Sequence, residues 1–201
     1  MKATKLVLAT LASFIFSTLL ITAQAQMQRP APSPAASVSQ VVGFTKISID
    51  YSSPGVKDRK VFGELVKYGS PWRAGANAAT TITFSTNVKI GDATLRAGTY
   101  SIFVTPMESG AWKIHLNKEA KAIFAYMSDG KIDGDALAKD LAVTVDATPV
   151  MLDDKMERLA YHISAEDNKT AKVSMAWDKS MVSFMVDTMV DEMMESMKGA
   201  F

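Results

Sequence analysis

Gly98-Thr99-Tyr100-Ser101-Ile102-Phe103-Val104-Thr105-Pro106, then Ser109-Gly110, then Trp112-Lys113-Ile114-His115-Leu116 is the stretch whose reading decides the fold. Two short runs rich in β-branched and aromatic residues are opened by glycine, closed by proline and joined through a Ser-Gly turn. The second run alternates apolar with polar residues, the period of a strand with one face buried. Similar runs lie upstream. Thr81-Ile82-Thr83-Phe84 and Val88-Lys89-Ile90 flank Thr86-Asn87, and Gly91-Asp92 marks a turn before Thr94-Leu95. Earlier still, Val38, Gln40 and Val42 oppose Ser39, Val41 and Gly43. Ile47, Ile49 and Tyr51 alternate with Ser48, Asp50 and Ser52, and Gly43-Phe44-Thr45 between these runs suits a hairpin or bulge. Downstream candidates are 141–145, 158–163, 172–177 and 181–186. Short strands punctuated by Gly, Pro and Asx, without regular intervening helices, predict an all-β fold: an antiparallel β-sandwich or open barrel.

Two segments break the pattern. Residues 53–78 carry Pro54-Gly55, Gly63, Gly69, Pro71 and Gly75 and read as a long loop, with one helical turn possible at 61–67. In residues 187–201, Met189, Val190, Met193, Met194, Met197 and Phe201 recur at helical spacing. Asp191, Glu192 and Glu195 lie off that stripe, Thr188 is placed to cap the start and Gly199 the end. A short C-terminal amphipathic helix is expected there.

The first residues read as a targeting segment. Lys2 and Lys5 precede an apolar run from Leu6 to Ile21, which closes on Ala23-Gln24-Ala25, a small-x-small pattern for signal peptidase. The run is shorter than the ~20 residues that span a bilayer. Pro30, Pro32 and Pro34 then alternate in a polyproline-type leader. The expected organisation is a signal peptide at 1–25, a Pro-rich leader at 26–36, a β-rich domain at 37–186 and a Met-rich helix at 187–201. The mature chain has no further transmembrane segment on this reading, and its place is periplasmic or extracellular. Without Lys2 and Lys5 it holds 20 basic against 21 acidic residues, a balance that gives no support for nucleic-acid binding. It contains no cysteine, so its core must hold it without disulfides.

The long loop and its flanks carry a resemblance. Arg59-Lys60-Val61-Phe62-Gly63, Tyr68-Gly69 and Pro71-Trp72-Arg73-x-Gly75-Ala76-Asn77-x-Ala79-Thr80-Thr81-Ile82-Thr83-Phe84-Ser85 are its centre. Pro32-Ser33-Pro34-x-Ala36-Ser37-Val38-Ser39-Gln40 precedes it, Ala97-Gly98-Thr99-Tyr100-Ser101 follows, and Trp177 with 182–184 looks like a closing hairpin. The chain resembles an exported bacterial family, domain of unknown function 2911, over most of residues 32–186. The resemblance implies an exported β-rich domain. It assigns no reaction, ligand or catalytic residue, and the tail beyond Val186 falls outside it.

Within the loop, Arg59, Lys60, Tyr68, Trp72, Arg73 and Asn77 are the candidate ligand-binding residues. Guanidinium groups hold carboxylates or phosphates bidentately, and aromatic faces stack sugars or cations. The opposing reading is internal: Arg73 and Asn77 donate to the loop's own backbone, and Trp72 plugs the core. No catalytic residue is assigned. Gly-x-Ser-x-Gly, His-Glu-x-x-His and phosphate-loop motifs are missing from the sequence. His115 and His162 sit in strands with no second ligand nearby, so no metal site is expected from them. Asp129 to Asp135 imitates a calcium loop, but Lys131 occupies a ligand position, and an exposed turn is the better reading. Asp153, Asp154 and Glu157 read as a solvated turn. No cofactor is expected.

These observations lead to an exported, non-catalytic binding or interaction module for a small molecule, a glycan or an envelope protein. One rival is a hydrolase-type enzyme with its site at the Arg59–Thr80 loop. The other is a copper-handling protein using Met189, Met193, Met194 and Met197, since thioether sulfur is a soft ligand. The signal-peptide reading has its own test. Protein recovered from its native host should have an intact mass that starts at Gln26, and retention of residues 1–25 would overturn it.

Overall fold

A computed structural model describes residues 29–129 and 131–198. The signal-peptide reading of residues 1–25, the start of the Pro-rich leader, and Gly199 and Phe201 of the tail lie outside the described residues. The chain divides into a unit of residues 1–31 and a unit of residues 32–201.

The second unit holds two antiparallel sheets. Its strands are β1 (Ala35–Val42), β2 (Thr45–Ser52), β3 (Thr81–Phe84), β4 (Val88–Ile90), β5 (Ala93–Leu95), β6 (Gly98–Thr105) and β7 (Trp112–Asn117). The short β8 (Met127–Ser128) and β9 (Lys131–Ile132) pair with each other. Then come helix α1 (Gly134–Lys139), β10 (Leu141–Ala147), β11 (Val150–Ala165), β12 (Thr170–Asp187) and helix α2 (Val190–Lys198). The large sheet runs β1-β2-β3-β6-β7-β10 and the smaller one β11-β12-β4-β5. The architecture is therefore sandwich-like and not a closed barrel, with the expected short helix near its C-terminal end. Among the described residues no helix is long and apolar enough to cross a membrane.

The core lies between the sheets. Ile102, Val104 and Ile114 of the large sheet face Tyr161, Val173, Met175 and Phe184 of the small one across a small residual void. Ile47, Ile49, Ile82 and Leu116 are fully buried on the same layer. Alternation sends every second residue of these strands inward, which is why the periodic runs of the sequence became strands.

Several details depart from the sequence reading. Asp153, Asp154 and Glu157, expected in a solvated turn, are exposed residues of strand β11. Residues 172–177 and 181–186 are one strand, β12. Val173, Met175 and Trp177 are buried at odd positions, Val182, Phe184 and Val186 at even ones. Asp178, at φ 54°, supplies the irregularity that changes the phase, and the β11–β12 register shifts around it. Without that extra residue one half would turn its apolar side to water. Likewise β3 and β4, neighbours in sequence, belong to different sheets; the chain crosses between layers at 85–87.

The tip of the β1–β2 hairpin meets α2. Gly43 takes φ 55° as the first residue of a two-residue turn between the paired Val42 and Thr45. A Cβ there would run into Val190 Cγ2 and stand 3.0 Å from Thr188 Oγ1. Thr188 does not cap the helix; its hydroxyl donates to the Lys169 carbonyl at 2.6 Å. Lys169 Nζ also pairs with Asp191 at 2.6 Å.

The outer face of the large sheet is covered in part by residues 118–140. Phe103 there packs with Ile123, Tyr126 and Leu137 in a second small core. Asp133 accepts from the Ala136 N–H at 2.9 Å and so caps α1, which spends one carboxylate of the apparent calcium loop. The Tyr126 hydroxyl donates to Asp140 at 2.8 Å and accepts from Asn117 Nδ2 at 2.8 Å. That hydroxyl, and then Lys121, hold the Asp140 carboxyl below its usual range.

On the same face His115 is buried between two hydroxyls, Thr105 Oγ1 at 3.0 Å from Nε2 and Thr144 Oγ1 at 2.8 Å from Nδ1. Burial, aided by the charge of Lys113 and opposed by Asp146, pushes its pKa from 6.5 down to about 4. The folded state thus keeps the ring neutral while the unfolded chain protonates it near pH 6.5. Between those values the unfolded state binds the extra proton, so stability is full above about pH 6.5 and falls as pH drops, by up to about 3 kcal/mol. Urea denaturation at pH 7.5 and 4.5 should show this loss in the wild type and a smaller one in His115→Gln. Equal pH slopes in the two proteins would overturn the assignment.

Candidate functional site

The loop predicted over residues 53–78 has the turns expected of it but no helical turn at 61–67. Instead the Val66 N–H donates to the Val61 carbonyl and the Gly63 N–H to the Val66 carbonyl, each at 2.8 Å. Val56, Val61, Phe62, Val66 and Ala74 are buried, so the segment is a stopper in the end of the sandwich. It is tied to both sheets. The Val56 N–H donates to the Glu157 carbonyl of β11, and the Leu159 N–H to the Pro54 carbonyl. At its other end Trp72 and Val104 of β6 exchange both backbone hydrogen bonds at 2.8 Å.

All three tryptophans gather where the stopper meets the core. Trp72 stacks on Trp177 with centroids 5.5 Å apart and planes at 21°. Phe62 lies 4.5 Å from Trp112, and edge-on to Trp72 and Trp177. Such pairs stabilise beyond what the area buried by the rings accounts for. Just after Trp72, the Ala74 carbonyl accepts from Thr80 Oγ1 at 3.1 Å and from the buried Tyr161 hydroxyl at 2.9 Å. The backbone on both sides of Arg73 is thereby fixed.

The six candidate residues separate. Arg59 serves its own loop: Nε donates to the Val56 carbonyl at 2.9 Å and Nη2 to the Gly55 carbonyl at 2.6 Å. Asn77 Nδ2 donates to the Ser33 carbonyl at 3.1 Å and to Ser52 Oγ at 3.3 Å. Lys60 is exposed and 3.7 Å from Glu64, a pair of little energetic weight in water. Tyr68 is partly exposed with its ring against Gly63, where a Cβ would lie 2.8 Å from it. Only Trp72 and Arg73 share a cavity.

That cavity is an open cleft of about 750 Å³. One wall is residues 65–67 and 69–73, including Leu65, Lys67, Trp72 and Arg73. The other is the 3-10 turn Ile123–Tyr126 with its continuation, including Phe124, Met127 and Ile132. The Arg73 guanidinium lies 5.6 Å over the Phe124 ring. Its Nε is buried without an acceptor among the described residues, and burial lowers its pKa. Phe124, Met127 and Leu65 stand out as large apolar side chains exposed at 59%, 41% and 44%. Phe124 and Met127 were not singled out from the sequence. No periodicity marks 118–132, and only the fold brings that stretch opposite the loop.

The remaining sequence candidates do not converge. His115 and His162 stand on different sheets. Among the described residues no group of three or more His, Asp or Glu side chains is arranged for a metal ion. Met189 and Met193 border a separate hollow of about 370 Å³ beside Asn87, which Met194 and Met197 do not line.

The stopper has a stability consequence. Trp72→Ala removes the ring from the stack and should cost about 3 kcal/mol in urea denaturation. Lys60→Ala on the same loop should stay within about 0.5 kcal/mol. A Trp72→Ala protein as stable as the wild type would show that the stack does not hold the loop.

A search of curated proteins and one of solved structures each returned no match. One family model does match, over residues 33–186, a span that takes in both sheets, the stopper and both walls of the cleft. The chain belongs to that family, described as Protein of unknown function (DUF2911).

Proposed function

We propose that the domain is a non-catalytic binding module whose ligand, a small molecule, sits in the cleft beside Trp72 and Arg73. The observation that carries this reading is a cleft of ligand size in which a guanidinium and exposed apolar side chains meet on a rigid base. Trp72 connects the two: its backbone is paired into β6 and its ring is stacked on the core, so one wall is built on the sandwich itself. Binding is favoured over hydrolysis by the character of the lining. It provides cations and apolar surface, and none of the described lining residues is a carboxylate or imidazole of the kind that activates water. On the signal-peptide reading of residues 1–25, the module works outside the cytoplasm. A copper role has less support, because the tail methionines do not share one hollow.

Gly134 provides the test. It lines the cleft, and a Cβ added there meets no atom within 4 Å. Gly134→Trp should therefore set a large ring at the cleft and obstruct it, while leaving the melting temperature within a few degrees of wild type. In a small-molecule screen followed by backbone NMR, hits should shift residues 65–73 and 123–134, and Gly134→Trp should abolish those shifts. Hits that map elsewhere, or that bind Gly134→Trp equally well, would overturn the cleft as the site.

A further inference from the structure

Resting on that reading of the cleft, we infer that its ligand is an organic anion: a carboxylate or phosphate head joined to an apolar body, the head held by Arg73 and Lys67. Among the described residues Lys67 and Arg73 both line the cleft, no Asp or Glu does, and neither cation forms an ion pair. A domain with nearly equal numbers of acids and bases has thus left two like charges facing one space.

Arg73 is the stronger argument. Its Nε has lost water without gaining an acceptor, a cost that an anion on the same guanidinium would offset. The ring of Phe124 attracts the cation from one face, yet a ring supplies no lone pair to the N–H groups. Among the described residues no acceptor meets the rim of the guanidinium, and a planar or tetrahedral oxyanion matches it bidentately. Because Ala74 is held by two hydrogen bonds and Trp72 by two more, the root of Arg73 is already ordered before any ligand arrives.

The apolar half of the ligand follows from the opposite wall. Leu65, Phe124 and Met127 expose apolar surface around one cleft, with Ile132 beside them. Inorganic phosphate would leave that surface wet, and a neutral sugar would leave the cations unmatched. A molecule with one charged end and one apolar end meets both walls.

The probes are 2-naphthoate, its neutral isostere 2-naphthamide, and 2-naphthyl phosphate, titrated calorimetrically into the whole domain. The acid should bind about tenfold or more tightly than the amide, since only it forms a charged pair. Arg73→Gln should cut that preference to the about two- to threefold that Lys67 supplies, while leaving weak amide binding. Lys67 is exposed and its loss does not threaten the fold. Lys67→Gln should weaken both anions about two- to threefold and leave the amide unchanged, the size of an exposed charge contact. The order of the carboxylate and the phosphate in wild type identifies the preferred head. Equal binding of acid and amide, both lost in Gly134→Trp, would overturn the anion inference and leave the cleft reading standing. Binding that survives Gly134→Trp would instead overturn the cleft reading. No binding of either anion at millimolar concentration would overturn the inference.

Discussion

The backbone of Val104 is buried and has to be paired, and β3 is too short to pair it. β3 covers β6 only from Gly98 to Ser101. Beyond that point the N–H groups of Ile102 and Val104 find the carbonyls of Thr80 and Trp72. A buried amide without an acceptor is costly, so the chain between β2 and β3 is obliged to return to this edge. Its other end is drawn to β11 by the same need, through Val56 and Pro54. Between these two attachments the segment has to turn repeatedly, and its glycines and left-handed residues supply the turns. What reads as a long loop is a second lining of the sandwich end. The position of Trp72, the ordered root of Arg73 and one wall of the cleft follow from that obligation.

Most strands were legible because each has one face toward the core, and alternation records it. The places where legibility failed share a cause. Val150 to Arg158 forms the first half of β11, yet nearly all its residues are exposed, so no alternation is imposed on it. β12 was read as two strands because one residue, Asp178, changes the phase midway. Apart from the turn at Asp129 to Asp135, the excursion from Lys118 to Asp140 gave no signal, since its fragments are short and its burial rests on Phe103 of another strand. Composition and periodicity describe local demands, whereas these features answer to partners far along the chain.

The candidate site was legible by half. A tryptophan and an arginine among glycines did mark the wall that lines the cleft. Residue type alone cannot tell an arginine that serves its own backbone from one that faces solvent. Arg59 and Arg73 have the same chemistry and stand 14 positions apart, yet one finds two carbonyls and the other an aromatic ring. The partner wall was invisible for a different reason. Phe124 and Met127 are ordinary apolar residues whose exposure is what makes them noteworthy, and exposure is a property of the fold.

The contact between Gly43 and Val190 has a kinetic meaning. The turn of the first hairpin is closed over by the last helix, and β12 lies between β11 and the much earlier β4. Nearly the whole domain must therefore be available before its smaller sheet can form. Loop closure over such separations carries an entropy cost that local turns do not, and domains dominated by distant pairings fold slowly. A partly synthesised chain can extend the β1–β2 hairpin through β3, β6 and β7 but has no complete second sheet to lay against them. The order in which the strands are woven thus holds the chain open until β12 and α2 arrive.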